Sequence, residues 1–162
     1  MYAESYLHAS IYNQAIAADD QNARGADMAV QLFRRALGRG RLSWLAQLFK
    51  QQGRELINLE SYKSVLQING QHAVGTKMVT IKDIRGTEGR EYDFDANFNP
   101  RHERMRDRWV SVARARFNQT PLPAVELIQV GGIYFVRDGH HRISVARALG
   151  QQAIDAHVTV WD

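Results

Sequence analysis

Between Val125 and Trp161 the chain is punctuated three times by glycine, and its hydrophobic pattern is reset each time. Val125–Val130 and Ile133–Arg137 flank Gly131-Gly132, the form of two β-strands joined by a tight turn. Asp138-Gly139-His140-His141 reads as a second turn, and Ile143–Leu149 as a helix ended by Gly150. Ala153–Trp161 then alternates strictly. Ile154, Ala156, Val158 and Val160 face one way, and Asp155, His157, Thr159 and Trp161 the other. A hairpin, a short helix and a closing strand packed so tightly in sequence predict an α+β fold built on a small mixed sheet.

Upstream the patterns are longer. Residues 3–37 read as helical, with a break between Asp19-Asp20 and Gly25, then a stripe of Met28, Leu32, Phe33 and Leu37. Gly38 and Gly40 predict a helix end. A short helix follows, capped by Ser43, with Trp44, Leu45, Leu48 and Phe49 as its apolar face. That face packs on the chain's own sheet or docks a partner; packing is the commoner fate of such a face. Val65–Ile68, Asn69-Gly70 and Gln71–Val74 have the form of a hairpin, and Met78–Lys82 that of a strand. Residues 85–100 are loop-like and rich in acids and aromatics. A helix is expected from Asn99 or Pro100 to about Asn118, burying Met105, Trp109, Val112 and Ala113. This divides the chain into an N-terminal helical subdomain, residues 1–60, and an α+β domain, residues 61–162.

Composition removes several chemistries. With no cysteine there is no disulfide framework, thiolate metal site or thiol nucleophile. The start, MYAESYLHAS, lacks the basic and apolar regions of a signal peptide, and no apolar run approaches a membrane span. A cytoplasmic protein with no membrane partner is therefore expected. The 21 basic residues exceed the 17 acidic ones, and 17 of them are arginine. Residues 1–23 hold acids alone, whereas residues 24–54 and Arg101–Arg116 are strongly basic. Arginine's planar fork suits phosphate and carboxylate, so nucleic acid enters as a partner; the plain alternative is a solvated basic surface.

The segment IYFVRDGHHRISVARALG, residues 133–150, carries the chemistry. The first amides of a helix lack internal acceptors, and the helix dipole makes that end positive. Gly139 lets the backbone turn sharply and approach a ligand. His140, His141 and Arg142 add donors, which together make a phosphate cradle. Asp138 can fix a histidine tautomer, hold magnesium or accept a proton. Adjacent histidines seldom converge on one ion, so no metal site is assigned to them. The plain alternative is a strand–turn–helix corner with Asp138 as a cap.

The stretch TPLPAVELIQVGGIYFVRDGHHRISVARALGQQAIDAHVTVW, with the upstream VTIKDIRG, resembles the ParB/sulfiredoxin superfamily over roughly half the chain. The resemblance implies a ParB/sulfiredoxin-like mixed sheet with flanking helices, here preceded by the helical subdomain. Segregation proteins of the superfamily carry Gly-Glu-Arg-Arg at the turn and bind CTP; sulfiredoxins carry Gly-Cys-His-Arg and use the cysteine with ATP. Free-serine kinases carry Asp-Gly-His-His-Arg, which is similar to Asp138–Arg142 here. The missing cysteine excludes sulfiredoxin chemistry. The resemblance implies that Gly139, His140, His141 and Arg142 contact the phosphates of ATP, ADP or CTP, with magnesium. It also implies an acid near the opening strand: Glu88 is the nearest candidate, with Asp93 and Asp95 as rivals. Catalytic roles then fall to Asp138, Glu88 and His141, in a phosphotransferase or nucleotide hydrolase. The competing expectation is a ParB-like, nuclease-like module that binds DNA without sequence preference through its arginines.

Overall fold

The computed structural model describes residues 2–49, 55–63 and 70–162. The chain forms α1 (Tyr2–Phe49), β1 (Ile57–Asn58), α2 (Leu59–Lys63) and β2 (Gln71–Thr80), then a 3₁₀ turn at Ile81–Asp83 and β3 (Ile84–Thr87). A second 3₁₀ turn, Glu103–Met105, leads into α3 (Arg106–Phe117). β4 (Val125–Val130), β5 (Ile133–Asp138), α4 (His140–Ala148) and β6 (Ala153–Trp161) complete the fold. The expected α+β class is thus observed, with one mixed six-stranded sheet in the order β1-β3-β5-β4-β6-β2. β4 pairs antiparallel with β5 and parallel with β6, while β2 runs antiparallel along β6 at the edge.

Both faces of the sheet are covered, and β4 accordingly buries Val125 and Leu127 on one side and Ile128 and Val130 on the other. Val125 and Leu127 look toward α4 and the loop residues Phe94 and Phe98. Ile128 and Val130 look the opposite way, with Leu59, Phe135 and Trp161, under α2. α1 and α3 form an outer layer over α4. Phe33, Trp109, Ala113 and Val145 are its buried centre, and the Phe33 and Trp109 rings lie 5.6 Å apart. Trp109 Nε1 donates a 2.7 Å hydrogen bond to Ser144 Oγ, so a buried polar pair fixes the rotation of α3 against α4.

Several expected boundaries move. α1 is one helix from Tyr2 to Phe49, with no break at Gly25 and no end at Gly38 or Gly40. A Cβ at Gly40 would overlap the Pro100 carbonyl, so this glycine lets α1 lie against the loop and is not a stop signal. Ser43, expected as an N-cap, sits inside the helix; its hydroxyl lies 2.8 Å from both the Gly40 carbonyl and the Asp95 carboxylate. The side chains of Trp44, Leu48 and Phe49, and the proposed strand 65–68 with Asn69, lie outside the described residues. Gln71–Val74, expected as the second arm of that hairpin, opens the longer strand β2 and pairs with β6. The helix expected from Asn99 begins at Arg106, because Phe94 and Pro100 first pair as a β-bridge. Among the described residues no helix is long and apolar enough to cross a membrane.

Replacing Ser144 with alanine leaves Trp109 Nε1 buried without an acceptor. The expected cost is about 1–3 kcal/mol in urea denaturation, whereas exposed Ser111→Ala stays within about 0.5 kcal/mol.

Candidate functional site

β5 ends at Asp138 and α4 begins at His140, so a single residue makes the corner. Gly139 has φ 101° and ψ 18°, a left-handed conformation that side chains rarely adopt. A Cβ there would also lie 2.5 Å from Val125 Cγ1. Both constraints demand glycine. No side chain caps α4, and its first helical bond runs from the Ile143 amide to the Gly139 carbonyl at 2.9 Å. The amides of His140, His141 and Arg142 precede that bond, and these residues line a cavity of about 700 Å³. Arg90, Arg108, Ser111, Leu122 and Pro123 line its other walls.

Arg142 is largely committed to the backbone. Its Nη1 donates to the carbonyls of Pro123 (2.7 Å) and Ala124 (2.8 Å), and its Nη2 pairs with Asp138. It therefore clamps the entry to β4 against the corner. Asp138 is otherwise exposed at the cavity rim. His140 turns inward: its Nε2 lies 2.7 Å from Thr87 Oγ1, and its ring stacks on Phe94. His141 meets Phe94 edge-on, and its Nδ1 is buried without a hydrogen-bond partner. Burial lowers the pKa of His140 to about 4, reinforced by the positive charges of Arg90 and His141. Burial likewise lowers His141 to about 4, with Arg108 and Arg90 adding to it. Both imidazoles are neutral at pH 7, in a positive surrounding field.

The upstream acids are dispersed. Glu88 accepts from Arg137 Nε at 3.0 Å and does not line the cavity. Asp93 accepts from Arg104 at 2.8 Å and Arg90 at 3.0 Å. Burial raises its pKa, but these hydrogen bonds and charges outweigh burial and hold the carboxyl below its usual range. Asp95 is buried and accepts from the amides of Asn97 and Asn99, from Asn99 Nδ2 and from Ser43, so it organises the loop. Among the described residues no cluster of three or more His, Asp or Glu side chains could hold a metal ion. Four contributors escaped sequence reasoning: Thr87 and Phe94 behind the histidines, and Arg90 and Arg108 in the cavity lining. Arg108 alone left a trace, as a member of the basic segment Arg101–Arg116.

No family model, curated protein or solved structure matches the chain. The chemistry of the site therefore rests on its own geometry: the first turn of α4, Arg90 and Arg108, and two neutral imidazoles around one cavity, a set of groups richer in donors than in acceptors.

The histidines give the fold a pH signature. Each has a native pKa near 4 against 6.5 when unfolded, so below pH 6.5 the unfolded chain binds more protons. Stability is full above about pH 6.5 and falls as pH drops toward 4. For His140 alone the loss is of order 3 kcal/mol. Urea denaturation at pH 7.0 and 4.5 should show this drop, reduced in His140→Gln.

Proposed function

We propose that the chain binds a nucleoside di- or triphosphate in the cavity at the start of α4. The observation that carries this reading is the uncapped start of α4, behind a glycine that admits no side chain, facing a cavity with Arg90 and Arg108 opposite. Phosphate oxygens accept from the amides of His140–Arg142, and Arg108, which has no carboxylate partner among the described residues, supplies most of the charge, Arg90 being shared with Asp93. At about 700 Å³ the cavity matches the size of small-molecule and cofactor sites. Arg142 acts mainly by holding the corner, since its terminal nitrogens already have acceptors.

Magnesium fits this site as a companion of the nucleotide, not in a cage of protein ligands. Asp138 is the carboxylate at the rim, and phosphate oxygens complete such a shell. When bound, the ion neutralises charge on the terminal phosphates. His141 is neutral at pH 7 but a weak base; the negative charge of a bound phosphate beside it would raise its pKa toward the range in which it can take a proton from an acceptor hydroxyl or water, the requirement of a phosphotransferase or hydrolase. Glu88 lies outside the cavity lining and plays no part in this reading.

A second reading, non-specific DNA binding, draws on the arginines of the outer layer. Arg34, Arg35, Arg39, Arg108, Arg114 and Arg116 have no carboxylate within 4.0 Å among the described residues. They lie on α1 and α3, which pack together. Its mark is affinity that falls with salt and ignores sequence.

Calorimetric titration with ATP, ADP and CTP, each with and without magnesium, tests the first reading. Binding is expected, weakened roughly tenfold or more in Arg108→Ala, whose melting temperature should match wild type. Absence of binding to all three nucleotides would remove this reading. DNA retention at low salt would then support the second.

A further inference from the structure

A second cavity, of about 400 Å³, lies at the carboxyl end of α4, among α1, the 3₁₀ turn after β2 and the loop before α3. It is lined by Arg39, Lys82 and Arg147 and by the carboxamides of Asn97, Asn99, Gln151 and Gln152, with no carboxylate among its lining residues. None of the three cations has a carboxylate within 4.0 Å among the described residues. Arg147 is held rigidly. Its Nη2 donates to the carbonyls of Ile81 (2.8 Å) and Ile84 (3.2 Å), and its guanidinium lies 5.2 Å from the Phe98 ring centre. Yet its Nε is buried with no acceptor, and Gln151, which lines this cavity and a smaller one near β6, has its Oε1 buried with no donor. Buried polar groups are nearly always satisfied, and an unpaired cation is the costliest exception.

We propose that this cavity binds a small phosphate ester that also carries hydroxyl groups. The phosphate supplies acceptors for Arg147, Arg39 and Lys82; the hydroxyls bond the carboxamides of the lining, Asn97 first among them. The opposing term is the carbonyl end of α4, worth about half a negative charge. Three full cations outweigh it, and the last carbonyls of α4 already accept from the amides of Leu149, Gly150 and Gln151. Nearby Asp95 contributes a further negative charge, but its oxygens are engaged by Ser43, Asn97 and Asn99 and not by the donors of the three cations. The site is separate from the nucleotide cavity. The two lie at opposite ends of the nine-residue α4, on the order of 13 Å apart along its axis.

The experiment is a titration of the ¹⁵N-labelled full chain with ribose 5-phosphate and, separately, inorganic phosphate, at constant ionic strength. The readouts are the Arg147 Nε–H signal and the amides of Gly150–Gln152. Because Arg39 and Lys82 are exposed, the variant Arg39→Ala/Lys82→Ala should keep its fold. Saturable shifts at these signals are expected with the sugar phosphate. They should weaken about tenfold or more in the double variant and persist in Arg108→Ala. Inorganic phosphate should bind more weakly. The proposal is overturned by non-saturating shifts, by equal affinity in the double variant, or by loss in Arg108→Ala alone, which would assign the ligand to the other cavity. Equal affinity for both probes would overturn the hydroxyl requirement.

Discussion

The clamp formed by Arg142 at the β5–α4 corner sets the geometry on which the candidate site depends. Its fork reaches two consecutive carbonyls, Pro123 and Ala124, and the Asp138 carboxylate. Those carbonyls lie just before β4, where the ladder has not yet begun, and would otherwise need solvent or another donor. Joining them to the first turn of α4 fixes the height of the helix above the sheet. Gly139 completes the corner from beneath, close enough to Val125 to exclude any side chain. The open helix start and the cavity before it are consequences of that clamp.

Behind the corner, support comes from far away in sequence. Phe94 carries both His140 and His141, and the loop that holds Phe94 is organised by Asp95. Asp95 in turn is tied to Ser43 of α1, and the Pro100 carbonyl lies against Gly40. The long N-terminal helix is thus connected through one buried carboxylate to the ring that shapes the site. Thr87, at the end of β3, fixes His140 from the other side. Both imidazoles remain neutral because protein packing has replaced their water, not because a carboxylate is missing: Asp93 and Asp138 raise the pKa of His140, and burial outweighs them.

What was legible in the sequence divides along the distance over which each signal acts. β4, the Gly131-Gly132 turn and β6 fall where the alternation and glycines place them, because both signals are local. The corner at Gly139 was legible for the same reason. α1 was not: Gly38 and Gly40 weaken a helix locally, but packing of Phe33, Ala36 and Leu37 carries it through, and contact with Pro100 gives Gly40 its purpose. Among the site residues, Asp138 to His141 do converge on one cavity, while Glu88 is drawn off to Arg137 and Asp95 into the loop. Arg142 was read as a ligand donor, and its backbone acceptors lie 18 and 19 residues upstream, beyond any local pattern.

The arginine excess likewise resolves into distinct tasks. Arg142 and Arg147 each hold two carbonyls of a segment distant in sequence from α4, whereas Arg90, Arg104 and Arg137 hold acids of the 88–93 loop. Lysine would serve poorly in the first task. Its ammonium is a compact, strongly hydrated point charge, whereas a planar guanidinium keeps several donors in fixed directions and tolerates partial burial. Arg147 shows the consequence: burial lowers its pKa, opposed by the charge of Asp95, and it remains clamped to Ile81 and Ile84 while stacked on Phe98. A count of basic residues therefore overstates the charge presented to a partner. The relevant cations are those left without an acid after the backbone clamps and ion pairs are removed, and among them Arg108 and Arg39 each line a cavity at one end of the same short helix.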